Sequence, residues 1–188
     1  MPFPKTWVEE LIIEWLHLDG FLVEANLPVG VKKVGGRLEA DIVGAKIISG
    51  NLLEIRHIES GQLIVGTQGI NAIINRKFSP SVCQSVTNYF TQRLSFISTS
   101  SNTNYQKFYV LTYWSQPAIT AVTKSNLGIM VDLLPDFICK KVLPTIKQWK
   151  NNPHHTPQIL GKTVQLPDSY WLLKLIDYLD VRKMLICP

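Results

Sequence analysis

LEADIVGAKIISGNLLEIRHI, residues 38–58, decides how this chain folds. Its two ends, LEADIVGAKI and LLEIRHI, are rich in Ile, Val and Leu, the composition of strands, and Gly50-Asn51 between them turns the chain. Among the charged residues that interrupt this apolar run, three are informative: Asp41 on one strand, Glu54 and Arg56 on the next. Residues two apart on a strand share a face, so Glu54 and Arg56 project together. An antiparallel neighbour is expected to bring Asp41 beside them. Acids on an otherwise apolar sheet are costly unless paired or bound to a metal.

Upstream, Thr6 caps a helix predicted to run to about Leu18. Glu9 sits three residues on, as in a capping box, and Val8, Leu11, Ile12, Trp15 and Leu18 form its apolar stripe. Asp19-Gly20 ends it, FLVEANL reads as a first strand, and PVGVKKVGG as a glycine-rich basic flap. Downstream, QLIVG and INAIIN around Thr67-Gln68-Gly69 are expected to form a further hairpin. Ser79-Pro80 starts a helix carrying Val82, Val86, Phe90 and Leu94, STSSNTN (98–104) is expected to be a loop, and QKFYVLTYW reads as a strand.

From Ala118 on, LGIMVDLL has strand character, and Pro135-Asp136 opens a helix that Pro144 kinks or stops. NNPHHTP (151–157) breaks the chain. A last helix follows Pro167-Asp168, with Trp171, Leu172, Leu175, Ile176 and Leu179 expected to face inward. The expected organisation is an α/β core over 1–117 with a C-terminal extension, 118–188, packed on it as part of the same domain.

At Asp41, Glu54 and Arg56 the chain resembles the PD-(D/E)XK nuclease superfamily, whose core runs helix, three-strand meander, helix, strand. That family places an Asp on the second strand and Glu-x-Lys on the third; EADIVGAKI and LLEIRHI are the matching strings here, with Arg56 where the family has lysine. The family often adds a glutamate on the first helix, and Glu9 matches that position, with Glu10 as the alternative. The resemblance covers residues 6 to about 114. It implies a restriction-endonuclease-like core with a helical C-terminal extension, and a Mg²⁺-dependent (or Mn²⁺-dependent) endonuclease hydrolysing phosphodiester bonds in DNA. Asp41 and Glu54 would hold the metal, Arg56 would contact the scissile phosphate, and Glu9 would support a metal-bound water. Arg56 stays charged and cannot transfer a proton, which favours as the alternative a degenerate nuclease fold acting as a DNA-binding or regulatory factor in DNA rearrangement or repair. A third possibility is a purely structural salt-bridge network. Lys46 falls on the face opposite Asp41 unless a bulge at Gly44 reverses the alternation.

Composition fits an anionic partner. The chain has 188 residues, 19 Lys plus Arg against 14 Asp plus Glu, and a formal charge of +5. Lys32 and Lys33 in the flap, and Arg76 and Lys77 before the second helix, are candidate DNA contacts. Lys140, Lys141, Lys147 and Lys150 form a further basic face. No stretch reaches the roughly 18 consecutive apolar residues that span a bilayer, and no secretory leader is evident, so no membrane and a cytoplasmic location are expected. Cys83, Cys139 and Cys187 show no CxxC spacing and read as buried or idle thiols. His57 reads as a satisfied core histidine, His154-His155 as a solvated loop, and Phe108, Tyr109, Tyr113 and Trp114 as core or interface. The last helix offers a face for a homodimer.

Overall fold

A computed structural model of the protein describes residues 4–33, 36–94, 98–151 and 165–187, with side chains described outside 30–37 and 98–102. The chain runs α1 (Trp7–Leu18), β1 (Phe21–Lys33), β2 (Gly36–Ile48), β3 (Asn51–Gln62), α2 (Thr67–Lys77), α3 (Pro80–Arg93) and β4 (Ser98–Tyr113). It continues with α4 (Gln116–Thr123), β5 (Ile129–Leu133), α5 (Leu134–Phe137), a π-helical stretch (Ile138–Val142), α6 (Leu143–Asn151) and α7 (Trp171–Val181). One five-stranded sheet in the order β1-β2-β3-β4-β5 makes this a mixed α/β protein. The first three strands form an antiparallel meander, and β4 and β5 add in parallel to β3. Parallel pairs need crossovers, supplied by α2 with α3 and then by α4.

Strand alternation divides the core. Ile42, Ile58, Phe108 and Val110 join α1, α6 and α7 on one face. On the other, Val43, Ala45 and Ile55 pack with Val82, Val86 and Phe90 of α3. There too Tyr109 and Leu111 pack with Ile70, Ile74 and Phe78 and with Ala118 and Val122 of α4. The C-terminal helices therefore belong to the same sandwich, covering the face that α1 begins. Glu14 of α1 locks them: its carboxylate accepts the backbone N–H groups of Leu172 (3.4 Å) and Leu173 (2.9 Å). These satisfy orphan donors at the start of α7, whose own N-cap offers no side-chain bond.

Several expectations need correction. Residues 67–77 form a helix, not a hairpin arm, because Ile70, Ile74 and Phe78 recur every fourth residue and reach the core together. Residues 98–104 belong to β4, whose backbone pairs alongside β3 from Asn51 onward. Trp171 and Leu175 lie on the outer side of α7 while Leu172, Leu173 and Ile176 are buried. Cys139 and Cys187 are joined in a disulfide, so they are not idle thiols, and Cys83 is the free cysteine. Among the described residues, no helix is long and apolar enough to cross a membrane.

Candidate functional site

The register of β2 on β3 separates the residues expected to converge. Ile42 pairs with Ile58, Gly44 with Arg56 and Lys46 with Glu54, so Asp41 meets the Glu59–Ser60 end of β3, well away from Glu54. The Asp41 N–H donates to Glu59 Oε1 and the Ser60 N–H to Asp41 Oδ2, each at 3.3 Å. The only register shift in this pair lies between Lys46 and Ile47, so no bulge at Gly44 turns Lys46 toward Asp41.

Glu54 and Arg56 face α1 and form a different network. Arg56 Nε donates to Glu54 (2.7 Å), its Nη1 donates to Asp19 (2.9 Å), and Lys46 holds the other Asp19 oxygen at 3.1 Å. The guanidinium lies 4.3 Å from the Phe21 ring centroid and 5.1 Å from that of Trp15. Gly44 makes room: a Cβ there would meet Leu16 and Phe21 at 3.2 Å. Arg56 is a planar cation clamped between rings and carboxylates, joining the start of β1 to the α1 terminus. Arg56→Ala is expected to lower stability by about 2–4 kcal/mol, since it strands two partly buried carboxylates. Urea denaturation measures this. Arg56→Lys should give no gain of cleavage, because this position is remote from Asp41.

Glu9 is also occupied elsewhere. Thr6 Oγ1 accepts the Glu9 N–H at 3.2 Å, the expected cap, while Glu9 Oε2 accepts the N–H of Lys5 (2.6 Å) where a capping box would take that of Thr6, and neither bond involves Asp41. Glu10 receives the Trp171 indole N–H. Lys140, Lys141, Lys147 and Lys150 pair with Asp136, Asp132, Asp180 and Asp177, so the proposed basic face is largely neutralised. Arg76 is exposed on α2. The side chains of Lys32 and Lys33, and His154-His155, lie outside the described residues.

Lys77 changes role most. It closes α2, and its Nζ lies 2.9 Å from Asp41 Oδ1 and 2.5 Å from Glu59 Oε2, and donates to the Glu39 carbonyl oxygen at 3.3 Å. The Asp41 and Glu39 contacts are hydrogen bonds, while buried Glu59 Oε2 is held by ion pairing alone. Behind Glu59, His57 Nε2 contacts Glu59 Oε1 at 2.8 Å and His57 Nδ1 contacts the Tyr105 hydroxyl at 3.1 Å. His57 and Glu59 are buried, so His57 is a satisfied core histidine. Asp41 and Lys77 side chains remain 18% and 19% exposed, leaving the outer edge of the cluster open to solvent. Asn26, opposite Asp41 between the pairs Ala25–Ile42 and Leu27–Ala40, has φ 51°, a left-handed backbone at the site's border.

The electrostatics are those of two acids forced together. Burial, then the neighbouring Glu59, pushes the Asp41 carboxyl up to about 6 against the pull of Lys77. Burial raises Glu59 as well. Burial works against the Lys77 charge, but Glu59 and Asp41 more than offset it and hold its pKa above the ordinary lysine value. Lys77 is therefore a permanent cation rather than a base. Across β4, Tyr109 is raised by burial and by the same two acids, which places it in their field.

Sequence reasoning found Asp41 and named Lys77 only as a phosphate contact; it missed Glu59. The available signal was geometric: counting outward from the Ser49–Gly50 turn sets Asp41 near the far end of β3. Fold and site together define a mixed α/β protein with a carboxylate–lysine–carboxylate cluster at the junction of β2, β3 and α2. No family model, no curated protein and no solved structure matches the chain.

Proposed function

We propose that this protein is a metal-dependent nuclease with a restriction-endonuclease-like core, hydrolysing phosphodiester bonds at Asp41, Glu59 and Lys77. The observation that carries this reading is the sharing of Lys77 by two carboxylates on adjacent antiparallel strands. The order helix, three-strand meander, crossover helices, parallel strand supports it. So do the raised carboxyls, since acids perturbed by burial and by each other beside a cation are a common mark of functional sites. In this reading the second acid of the resembled motif is Glu59 instead of Glu54, and its lysine comes from α2 instead of position 56.

The donor set suits Mg²⁺ or Mn²⁺. Among the described residues no group of three or more His, Cys, Asp or Glu side chains is placed to hold a metal ion. Mg²⁺ needs only one or two carboxylates, with water and substrate phosphate oxygens completing its shell. Asp41 and Glu59 Oε2 would hold it. A divalent ion there supplies charge neutralisation at the phosphate and a more acidic water. Lys77 presents a fixed positive charge where negative charge develops on the phosphoryl oxygens. His57 and the Asp41 N–H hold Glu59 Oε1, leaving Oε2 directed at the site.

The competing reading, a DNA-binding or regulatory protein that keeps the sheet without the chemistry, is favoured by the full burial of Glu59. Incubation of the purified protein with plasmid, branched and single-stranded DNA separates the two. Cleavage that requires Mg²⁺ or Mn²⁺, stops with chelator and is lost in Asp41→Asn supports the nuclease. DNA retardation without metal-dependent cleavage supports the competitor.

A further inference from the structure

Outside the Asp41 cluster, a cleft of about 730 Å³ opens between α2 and α4. Thr67, Asn71 and Asn75 line it from α2, and Gln116, Thr120 and Lys124 from α4. Each set is spaced by four, so each helix turns a continuous polar row into the cleft. Both helices start where parallel strands end, α2 after β3 and α4 after β4, and the carboxyl edge of such strands is where open α/β sheets take ligands. No acidic side chain is among the lining residues, and its one cation is Lys124.

The residues just before α4 add a second feature. Tyr113, paired with Gln62 at the ends of β4 and β3, is 59% exposed, and Trp114 is 40% exposed. Phe108 and Tyr109, earlier on the same strand, are buried. The strand's aromatic run therefore splits into a core half and a solvent-facing half that immediately precedes α4.

We infer that this cleft, with the exposed Tyr113 and Trp114 just ahead of α4, binds single-stranded nucleic acid, and that it anchors the substrate strand beside the helix whose last residue is Lys77. Its tie to chemistry rests on the proposed nuclease activity; its binding does not. Amides and hydroxyls offer donors and acceptors together, which suits base edges and sugar hydroxyls. Exposed rings stack on unpaired bases without regard to sequence. A duplex keeps its bases stacked away from such rings and is gripped by rows of cations along two phosphate backbones. The cleft has one lysine, so it fits a splayed strand.

Fluorescence anisotropy in chelator, where no cleavage occurs, tests this with labelled DNA and RNA strands of about a dozen nucleotides, close to the span of one single-strand groove. A matched duplex and a neutral oligosaccharide complete the panel. The wild-type protein is expected to prefer single strands to duplex by about tenfold or more, and Trp114→Ala to lose about tenfold in affinity. Asn71→Asp with Asn75→Asp, both at exposed positions, should lose more, because they place anions in the cleft. Asn88→Asp on the exposed face of α3 should bind as wild type, and matching thermal melts confirm that all variants fold. The DNA and RNA arms decide whether a 2′-hydroxyl is read. Equal or better duplex binding, oligosaccharide binding without oligonucleotide binding, no binding at low salt, or unchanged affinity in the cleft variants would each overturn the inference. Strand binding with no metal-dependent cleavage removes the nuclease and leaves the cleft. Cleavage that the cleft variants retain in full removes the cleft and leaves the nuclease.

Discussion

Asp41→Asn is expected to abolish cleavage while making the metal-free protein more stable. The activity loss should be at least ~10³-fold, about 4 kcal/mol of transition-state stabilisation, because the substitution removes the charge of a metal-holding carboxylate. The stability gain follows from the same crowding that makes the site useful. With the Asp41 carboxyl pushed up from 3.8 to about 6, the folded protein holds a proton between those pH values that the unfolded chain has released. Stability from the protonated form is complete below about pH 4 and is lost as pH rises through about 6, an effect of roughly 3 kcal/mol. Asparagine mimics the neutral acid at every pH. The variant should therefore melt above the wild type by about 5–10 °C near neutral pH, for roughly 2–3 kcal/mol in a chain of this length. The gap should close toward pH 4. Differential scanning calorimetry at several pH values, beside a cleavage assay, reads both halves. Lower stability of Asp41→Asn at neutral pH would mean that Asp41 serves as a structural ion-pair partner of Lys77.

Opening the Cys139–Cys187 disulfide is expected to destabilise the protein by about 4 kcal/mol, the chain-entropy value for its sequence separation of 48. The bond ties the segment after α7 to the π-helical stretch ahead of α6, closing a loop that contains both C-terminal helices. Those helices cover one sheet face through Val142, Leu143, Ile146, Leu172, Leu173 and Ile176. Urea unfolding with and without reductant measures the effect, and a Cys139→Ser, Cys187→Ser chain should match the reduced protein. A reducing compartment would open such a bond and leave the weaker form.

Local features were legible where local physics decides them. The Thr6 cap and the stripe Val8, Leu11, Ile12, Trp15 and Leu18 give α1 almost to the residue. Ser79-Pro80 gives α3 through its cap and first-turn proline. Residues 67–77 are ambiguous in sequence because INAIIN is an apolar run short enough for strand or helix, and the third helical anchor, Phe78, falls just beyond it. The site failed for a different reason. Asp41, Glu54 and Arg56 were joined by motif spacing, but strand partners are set by the turn and its register, which put Lys46, not Asp41, opposite Glu54. Lys77 reaches the cluster from a helix packed by tertiary contacts, and no spacing along β2 or β3 encodes that arrival. The Cys139–Cys187 pair is equally silent in sequence, because two isolated cysteines carry no connectivity signal.

The most direct test uses one chemical change on the two faces of one strand. Glu59→Gln and Glu54→Gln each replace a β3 carboxylate with its neutral isostere, the first beside Asp41 and Lys77, the second beside Arg56. Single-turnover cleavage of a labelled strand in Mn²⁺ is predicted to fall at least ~10³-fold in Glu59→Gln and to stay within about threefold of wild type in Glu54→Gln. Loss of cleavage in Glu54→Gln with activity retained in Glu59→Gln would contradict the account and return the chemistry to the Arg56 face.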